Sequence, residues 1–274
     1  MTDTLPFYQV DAFADAAFRG NQACVMPLAE GFLEDATLQA IAAENNVAET
    51  AFLVQTGPAS WDLRWFTPAM EVPLCGHATL ASAHVLYEHL GVSAERLAFD
   101  TRLSGRLTVS RLSDGRLDMD FPAPKVTEIA VADDVCTALG ARPRKAWAGP
   151  FYAALFDTPD EITALHPDLA ALKALGPSGD WARGNFGCMA PGGEAGADVT
   201  SRFFAPGSGI PEDPATGSWH TMVAAIMGPR LNKPRLDCVQ AYPGRGARLS
   251  VGLRDDRVAL AGHAVTVIEG RFML

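Results

Sequence analysis

No apolar run in this sequence approaches the ~18–20 residues that a membrane-spanning helix requires. The opening Met-Thr-Asp-Thr-Leu-Pro also lacks the hydrophobic centre of a secretory signal. Cysteine is sparse: five in 274 residues, at positions 24, 75, 136, 188 and 238, with no Cys-x-x-Cys pair. That spacing carries neither a zinc ribbon nor a thioredoxin-type motif, and reduced thiols in a cytoplasm are the expectation. No Gly-x-Gly-x-x-Gly or Walker sequence follows a strand, so nucleotide binding has no support. Positive charge is short as well. Twenty-two Lys and Arg against 32 Asp and Glu leave a net charge of −10, which repels nucleic acid and anionic membranes. An anionic small molecule is still admissible, because a helix end can outweigh the global charge locally.

What is present is an ordinary soluble composition, 48% hydrophobic and 20% charged, in a chain long enough for two domains of ~100–150 residues. The chain says one phrase twice. Residues 64–77 read Arg-Trp-Phe-Thr-Pro-Ala-Met-Glu-Val-Pro-Leu-Cys-Gly-His, and 202–218 read Arg-Phe-Phe-Ala-Pro-Gly-Ser-Gly-Ile-Pro-Glu-Asp-Pro-Ala-Thr-Gly-Ser. Arg64, Phe66 and Pro68 match Arg202, Phe204 and Pro206; Glu71, Pro73, Cys75, Gly76 and His77 then match Glu212, Pro214, Thr216, Gly217 and Ser218. Further on, Gly105–Val109 matches Ala247–Val251. Collinear blocks about half a chain apart indicate a tandem duplication into two similar domains, because solenoid repeats are much shorter, ~20–50 residues. The stiff Phe121-Pro122-Ala123-Pro124 marks the boundary. The expected halves are 1–122 and 123–274, with the last strand of the chain a candidate addition to the first.

Between these markers the pattern is of short strands around one good helix per half. Strands are expected at 7–13, 24–28, 47–54, 61–66, 97–100, 105–110, 116–121, 152–156, 236–240, 246–253, 257–261 and 264–268. Helices are expected at 34–44, 78–90, 133–139, 165–175 and 219–227. Residues 147–150 read as a turn, and 176–196, rich in glycine and small residues, reads as loop. The fold class is α+β, with two pseudo-symmetric domains.

In each copy of the phrase a proline and a glycine lead directly into a helix, whose first N–H groups point outward unpaired. Such an end favours a carboxylate or oxyanion by roughly 0.3–2 kcal/mol. Facing each other across a cleft, the two ends would present Cys75 and His77 from one side and Asp213, Thr216 and Ser218 from the other. Taken singly, each has a plainer reading. His77 could cap its helix, Asp213 could make a turn and Ser218 could be a first-turn polar residue. Glu49, a carboxylate opening an apolar strand, could sit at an exposed strand end, and Cys75 could be a small buried hydrophobe. Their co-occurrence on matched phrases raises the functional reading.

The stretches Asn46-Val47-Ala48-Glu49-Thr50-Ala51-Phe52, Cys75-Gly76-His77-Ala78-Thr79 and Glu212-Asp213-Pro214-Ala215-Thr216-Gly217-Ser218 resemble those of the PhzF, or phenazine biosynthesis-like, isomerases. That family is related in fold to diaminopimelate epimerase, and the resemblance runs through the closing Gly262–Val267. It implies a β-sheet wrapped around a central helix in each half, a site in the interdomain cleft, no cofactor and no metal. It implies catalytic roles for Glu49, His77 and Asp213 and substrate contacts from Cys75, Gly76, Thr216, Gly217 and Ser218. The substrate would be a small carboxylate in which a proton is moved, and the assembly it suggests is a homodimer. Shielding of Glu49 predicts a raised pKa suited to general acid/base work. The alternatives are a two-face racemase or epimerase, a hydrolase using Cys75, or a non-catalytic carboxylate-binding protein. A two-thiol racemase is disfavoured, since Thr216 stands where the second thiol would be and an alcohol is far weaker than a thiol of pKa ~8.5. Ala48, Trp219-His220 and Gln240–Gly246 depart from the family pattern and point away from the phenazine precursor as substrate.

Overall fold

A computed structural model describes residues 4–175, 184–194 and 196–274. It divides into two compact units, Met1–Asp120 with Ala261–Leu274, and Phe121–Leu260. The alternating residues that read as strands in the sequence build mixed parallel and antiparallel strand pairings in each unit.

In the first unit β1 (Thr4–Ala12) lies between β2 (Asn21–Leu28) and the strand at the chain's end, β17 (Ala264–Met273), antiparallel to both. Helix α1 (Asp35–Asn45) crosses from β2 to a parallel neighbour, β3 (Glu49–Gly57). β4 (Ser60–Phe66) returns antiparallel, the two-residue β5 (Glu71–Val72) edges it, and α2 (Gly76–Glu88) crosses to the parallel β6 (Arg96–Thr101). β7 (Gly105–Arg111) and β8 (Leu117–Pro122) follow antiparallel. The reach of α1 stops where the sequence expects: Asn46 takes the left-handed conformation, φ 48°, that asparagine tolerates at a helix end. Leu38 and Ile41 on α1 pack with Met26, Phe52 and Phe66. From His77 to Tyr87, α2 is buried on every position except His84, and it packs on β1, β2, β3 and β17. A helix apolar all round has to be enclosed.

The second unit repeats this order. After β9 (Thr127–Ile129) and α3 (Asp133–Leu139) come β10 (Lys145–Ala148) and β11 (Tyr152–Leu155). Two short helices, α4 (Pro159–Thr163) and α5 (Leu169–Ala174), precede β12 (Phe186–Pro191), which is parallel to β11. β13 (Val199–Phe204) returns antiparallel, and α6 (Gly217–Leu231) crosses to a parallel β14 (Leu236–Gln240). β15 (Ala247–Arg254) pairs with β14, and β16 (Arg257–Gly262) carries the chain back. The parallel pairs β11/β12 and β13/β14 stand where β2/β3 and β4/β6 stand in the first unit. Helix α6 is buried like α2, with Ser218 the exposed exception in its first turn.

Three expectations need correction. Residues 145–148, partly read as a turn, form β10. The helix expected at 165–175 is the shorter α5, and the separate α4 before it, with a Thr158/Glu161 capping box, was not registered by the apolar spacing. The stretch at 176–196 contains β12, although 176–183 and 195 lie outside the described residues. Glycine there is structural rather than loop-forming. A Cβ on Gly187 would meet the ring of Trp219 at 2.3 Å, and Trp219 is 0% exposed. Gly187→Ala is therefore expected to lower stability by about 1–3 kcal/mol through overpacking. The urea midpoint reports the loss, and Trp219→Leu in the same chain should recover part of it.

The phrase's matched arginines and glutamates have a structural task. Arg64 grips Glu71 through two bonds of 2.8 Å each, and Arg202 grips Glu212 in the same bidentate way, again at 2.8 Å. Each guanidinium also lies over the matched phenylalanine, 5.1 Å from the Phe66 centroid and 4.7 Å from that of Phe204. The remaining nitrogen ties down the crossover helix. Arg64 reaches Asp35 at the start of α1, and Arg202 reaches the Leu165 carbonyl just past α4. A bidentate fork fixes direction as well as distance, so each clamp sets the course of the loop that delivers the chain to its central helix.

Candidate active site

The first unit gathers three of the sequence-predicted residues. β3 begins at Glu49, in parallel register with Ala23 on β2, and α2 begins just after Cys75. Glu49 Oε2 lies 3.0 Å from His77 Nε2. The approach is close but off the line of the ring N–H, so Oε2 is buried without an aligned hydrogen-bond donor and the contact is an ion pair. Cys75 Sγ is 3.5 Å from His77 Nδ1 and lies beside the Glu49 carboxylate. Asn21, 1% exposed at the start of β2, brings its amide within 3.4 Å of Nδ1. No local pattern in the sequence shows that β2 would carry Asn21 to His77.

The electrostatics reverse one expectation. Burial pushes the Glu49 carboxyl up, but the neighbouring His77 charge and the polar groups of His77 and Cys75 beside it outweigh it, and Glu49 sits below its ordinary 4.5. Burial pushes His77 down, yet the Glu49 carboxylate beside it outweighs this and holds it above its ordinary 6.5. Cys75 is pushed up by burial and by Glu49, so the thiol keeps its proton. At neutral pH the site is a carboxylate beside an imidazolium. Shielding alone would raise Glu49; the His77 beside it reverses the direction.

This pair links stability to pH. The depressed Glu49 contributes fully above 4.5 and loses its contribution as pH falls through its folded value; the raised His77 contributes fully below 6.5 and loses its contribution as pH rises through its folded value. The urea midpoint should therefore gain most from the pair between 4.5 and 6.5 and decline on both sides. Glu49→Gln should flatten that profile. A profile that the substitution leaves unchanged would mean the pair is not ionised.

The second unit gathers the other predicted residues around the start of α6. Thr216 is the N-cap, matching Cys75, and Gly217 opens the helix as Gly76 opens α2. Neither N-cap has a side-chain cap bond, so the outward N–H groups of both first turns are not filled by their own N-cap side chains. The Thr216 hydroxyl donates to Asp213 Oδ2 at 2.5 Å. Gln240, 0% exposed on β14, locks this turn by accepting from the Thr216 N–H at 2.8 Å and donating to the Asp213 carbonyl. Gln240 was legible only as part of a departing motif, not as a brace. Ser218 is exposed, with its carbonyl accepting from the Thr221 hydroxyl at 2.7 Å. Trp219 points into the core of the second unit, so its bulk does not alter the helix start. His220 is also inside. Its Nδ1 is 2.8 Å from the Thr216 carbonyl, and burial pushes its pKa down to about 4.

Two units of matched topology, each with a buried helix opening at an uncapped Cys/Thr-Gly step, define the epimerase-like class of α+β folds. Comparison with known proteins supports this. A hydroxyproline epimerase from Agrobacterium vitis shares the fold at a TM-score of 0.57, with 13% identity and coverage of 100% of this chain and 94% of that one. A PhzF-family protein from Enterococcus faecalis has a crystal structure that matches at a TM-score of 0.92, 37% identical, covering 99% of this chain and 100% of the other. An uncharacterized isomerase of Pseudomonas aeruginosa is 43% identical over 271 residues, 98% of this chain and 99% of its own length. The family model described as phenazine biosynthesis-like protein matches residues 10–270. The chain belongs to the phenazine biosynthesis-like, or PhzF, family. Membership makes it an isomerase. Among the described residues no helix is long and apolar enough to cross a membrane.

Proposed function

We propose that this isomerase moves a proton between two positions of one small carboxylate-bearing molecule, with Glu49 as the proton carrier. The observation that carries the reading is the Glu49–His77 ion pair, a buried carboxylate kept ionised beside an imidazolium at 3.0 Å. Glu49 is then ready to accept a proton from an activated carbon, and the carboxylic acid so formed can return it elsewhere on the same face. Losing the carboxylate charge weakens the hold on the His77 proton, which makes the imidazolium the better acid at the moment negative charge develops on the substrate. On this reading Cys75 and Gly76 shape the substrate's surroundings beside Glu49 and His77. These residues supply both acid and base, so the step calls for no further group.

The competing chemistries fit less well. A racemase needs a second acid on the opposite face, and Thr216, whose hydroxyl is donated to Asp213, is not one. A Cys75 nucleophile needs a thiolate, and burial keeps this thiol protonated. Incubation of the protein with pools of small carboxylic acids in heavy water tests the proposal. One acid is expected to gain a carbon-bound deuterium and emerge as a positional isomer. Binding without exchange would make the protein a carboxylate binder, and inversion at a single stereocentre would make it an epimerase. Cys75→Ala should retain exchange within about tenfold, since the thiol is given no proton to move.

A further inference from the structure

Glu49, Cys75 and His77 are brought together for proton transfer, but their atoms also satisfy a second chemistry. One ligand-type atom from each lies within 4.8 Å of the other two. A thiol, an imidazole and a carboxylate are the three donors that Zn²⁺ accepts, and three protein ligands with an open fourth position is the arrangement of exchangeable rather than closed zinc sites. With bonds of about 2.0–2.3 Å, a tetrahedral zinc separates its ligand atoms by roughly 3.3–3.8 Å. The distances from His77 Nε2 are 3.0 Å to Glu49 Oε2 and 4.0 Å to Cys75 Sγ, which bracket that span.

Two further observations favour a ligand here. Glu49 Oε2 is buried and lacks an aligned donor, so its capacity to accept is not filled by the protein's own hydrogen bonds. The ring nitrogen not needed for the metal, Nδ1, lies 3.4 Å from the Asn21 amide nitrogen, and turning that amide over would let its oxygen accept the Nδ1 proton as the outer partner of a metal-binding histidine does. The residues also stand on a strand start and a helix start rather than on a mobile loop. Cysteine spacing alone misses this cluster, because its third ligand comes from a different strand.

We propose that Glu49, Cys75 and His77 form a reversible Zn²⁺ site whose occupation silences the isomerase. Binding exchanges one metal ion for two protons: the Cys75 thiol and the His77 imidazolium each release theirs to solvent, and nothing is oxidised or reduced. The bound ion then holds the carboxylate and the imidazole that the proton shift uses. The inhibitory consequence rests on the proton-transfer reading above; the binding site does not.

The test is titration of the reduced, metal-free full chain with Co²⁺, whose thiolate complexes absorb through sulfur-to-metal charge transfer, followed by displacement with Zn²⁺. We expect one equivalent of Co²⁺ to raise the charge-transfer band and one equivalent of Zn²⁺ to abolish it. Cys75→Ala should remove the band, Glu49→Gln should weaken binding at least tenfold, and Cys136→Ser, at the one half-exposed cysteine, should leave it intact. Circular dichroism confirms that each variant is folded. No band in the wild type, or a band that survives Cys75→Ala, would overturn the site. Loss of turnover in Glu49→Gln without any cobalt band would sink the metal proposal and spare the proton reading; a cobalt band at this site with an active Glu49→Gln would do the reverse.

Discussion

Glu49→Gln is expected to slow isomerisation by about 10²- to 10⁴-fold, the range removed when a positioned acid/base group is lost. The amide is nearly the same shape, so the packing around β3 and α2 should persist and substrate should still bind. What goes is the charge. A neutral amide cannot accept a proton from carbon, and it cannot offset the burial that pushes His77 toward its neutral form. Both halves of the proton circuit fail together, so His77→Asn in the same chain should cost little more than Glu49→Gln alone, as residues acting in one unit do. Deuterium exchange into the isolated substrate measures the rate, and the urea midpoint near neutrality shows whether the fold is intact. Near-normal exchange by a folded Glu49→Gln would remove the role.

The largest expected loss of stability lies at the second clamp. Arg202 and Glu212 are 7% and 10% exposed at the side chain, and Arg202 also donates to the Leu165 carbonyl at 2.7 Å. Truncating one partner of such a pair leaves the other charge buried and uncompensated, at a cost of about 3–5 kcal/mol. Arg202→Ala should therefore unfold the second unit at markedly lower urea. Arg64→Ala should cost less. Its partners Glu71 and Asp35 are 23% and 68% exposed, so water takes up the lost interaction, and Arg102 remains on Glu71 at 3.0 Å. Replacing Arg202 and Glu212 together by Met and Leu should recover much of the loss, because no orphaned charge remains. Equal costs for Arg64→Ala and Arg202→Ala, followed by urea denaturation, would contradict a burial-controlled clamp.

The duplicated phrase carried most of what could be read in advance. Its matched positions indicated two central helices and placed their starts to within two residues, because Pro, Gly and a following apolar run are local signals. Glu49 stood out because a carboxylate does not belong in an apolar strand start without a reason. The Arg64–Glu71 and Arg202–Glu212 pairings were visible as aligned letters but not as contacts, since the meeting of two charges depends on how the β4 and β13 turns fold back. Asn21 and Gln240 were missed for a related cause: each reaches its site from a strand neighbour distant in sequence. Gly187 was hidden in a stretch whose small residues read as loop, while its real constraint is the Trp219 ring. The Glu49 pKa went the wrong way because burial, a one-body property, was weighed without His77.

The account rests on His77 being an imidazolium held by an ionised Glu49. Nitrogen chemical shifts of His77, in protein labelled at the ring, measure this directly. At pH 7.5 both ring nitrogens should carry protons in the wild type, and Glu49→Gln should shift the titration to lower pH. A ring that is neutral at pH 7.5, or one whose titration ignores Glu49→Gln, would contradict the account.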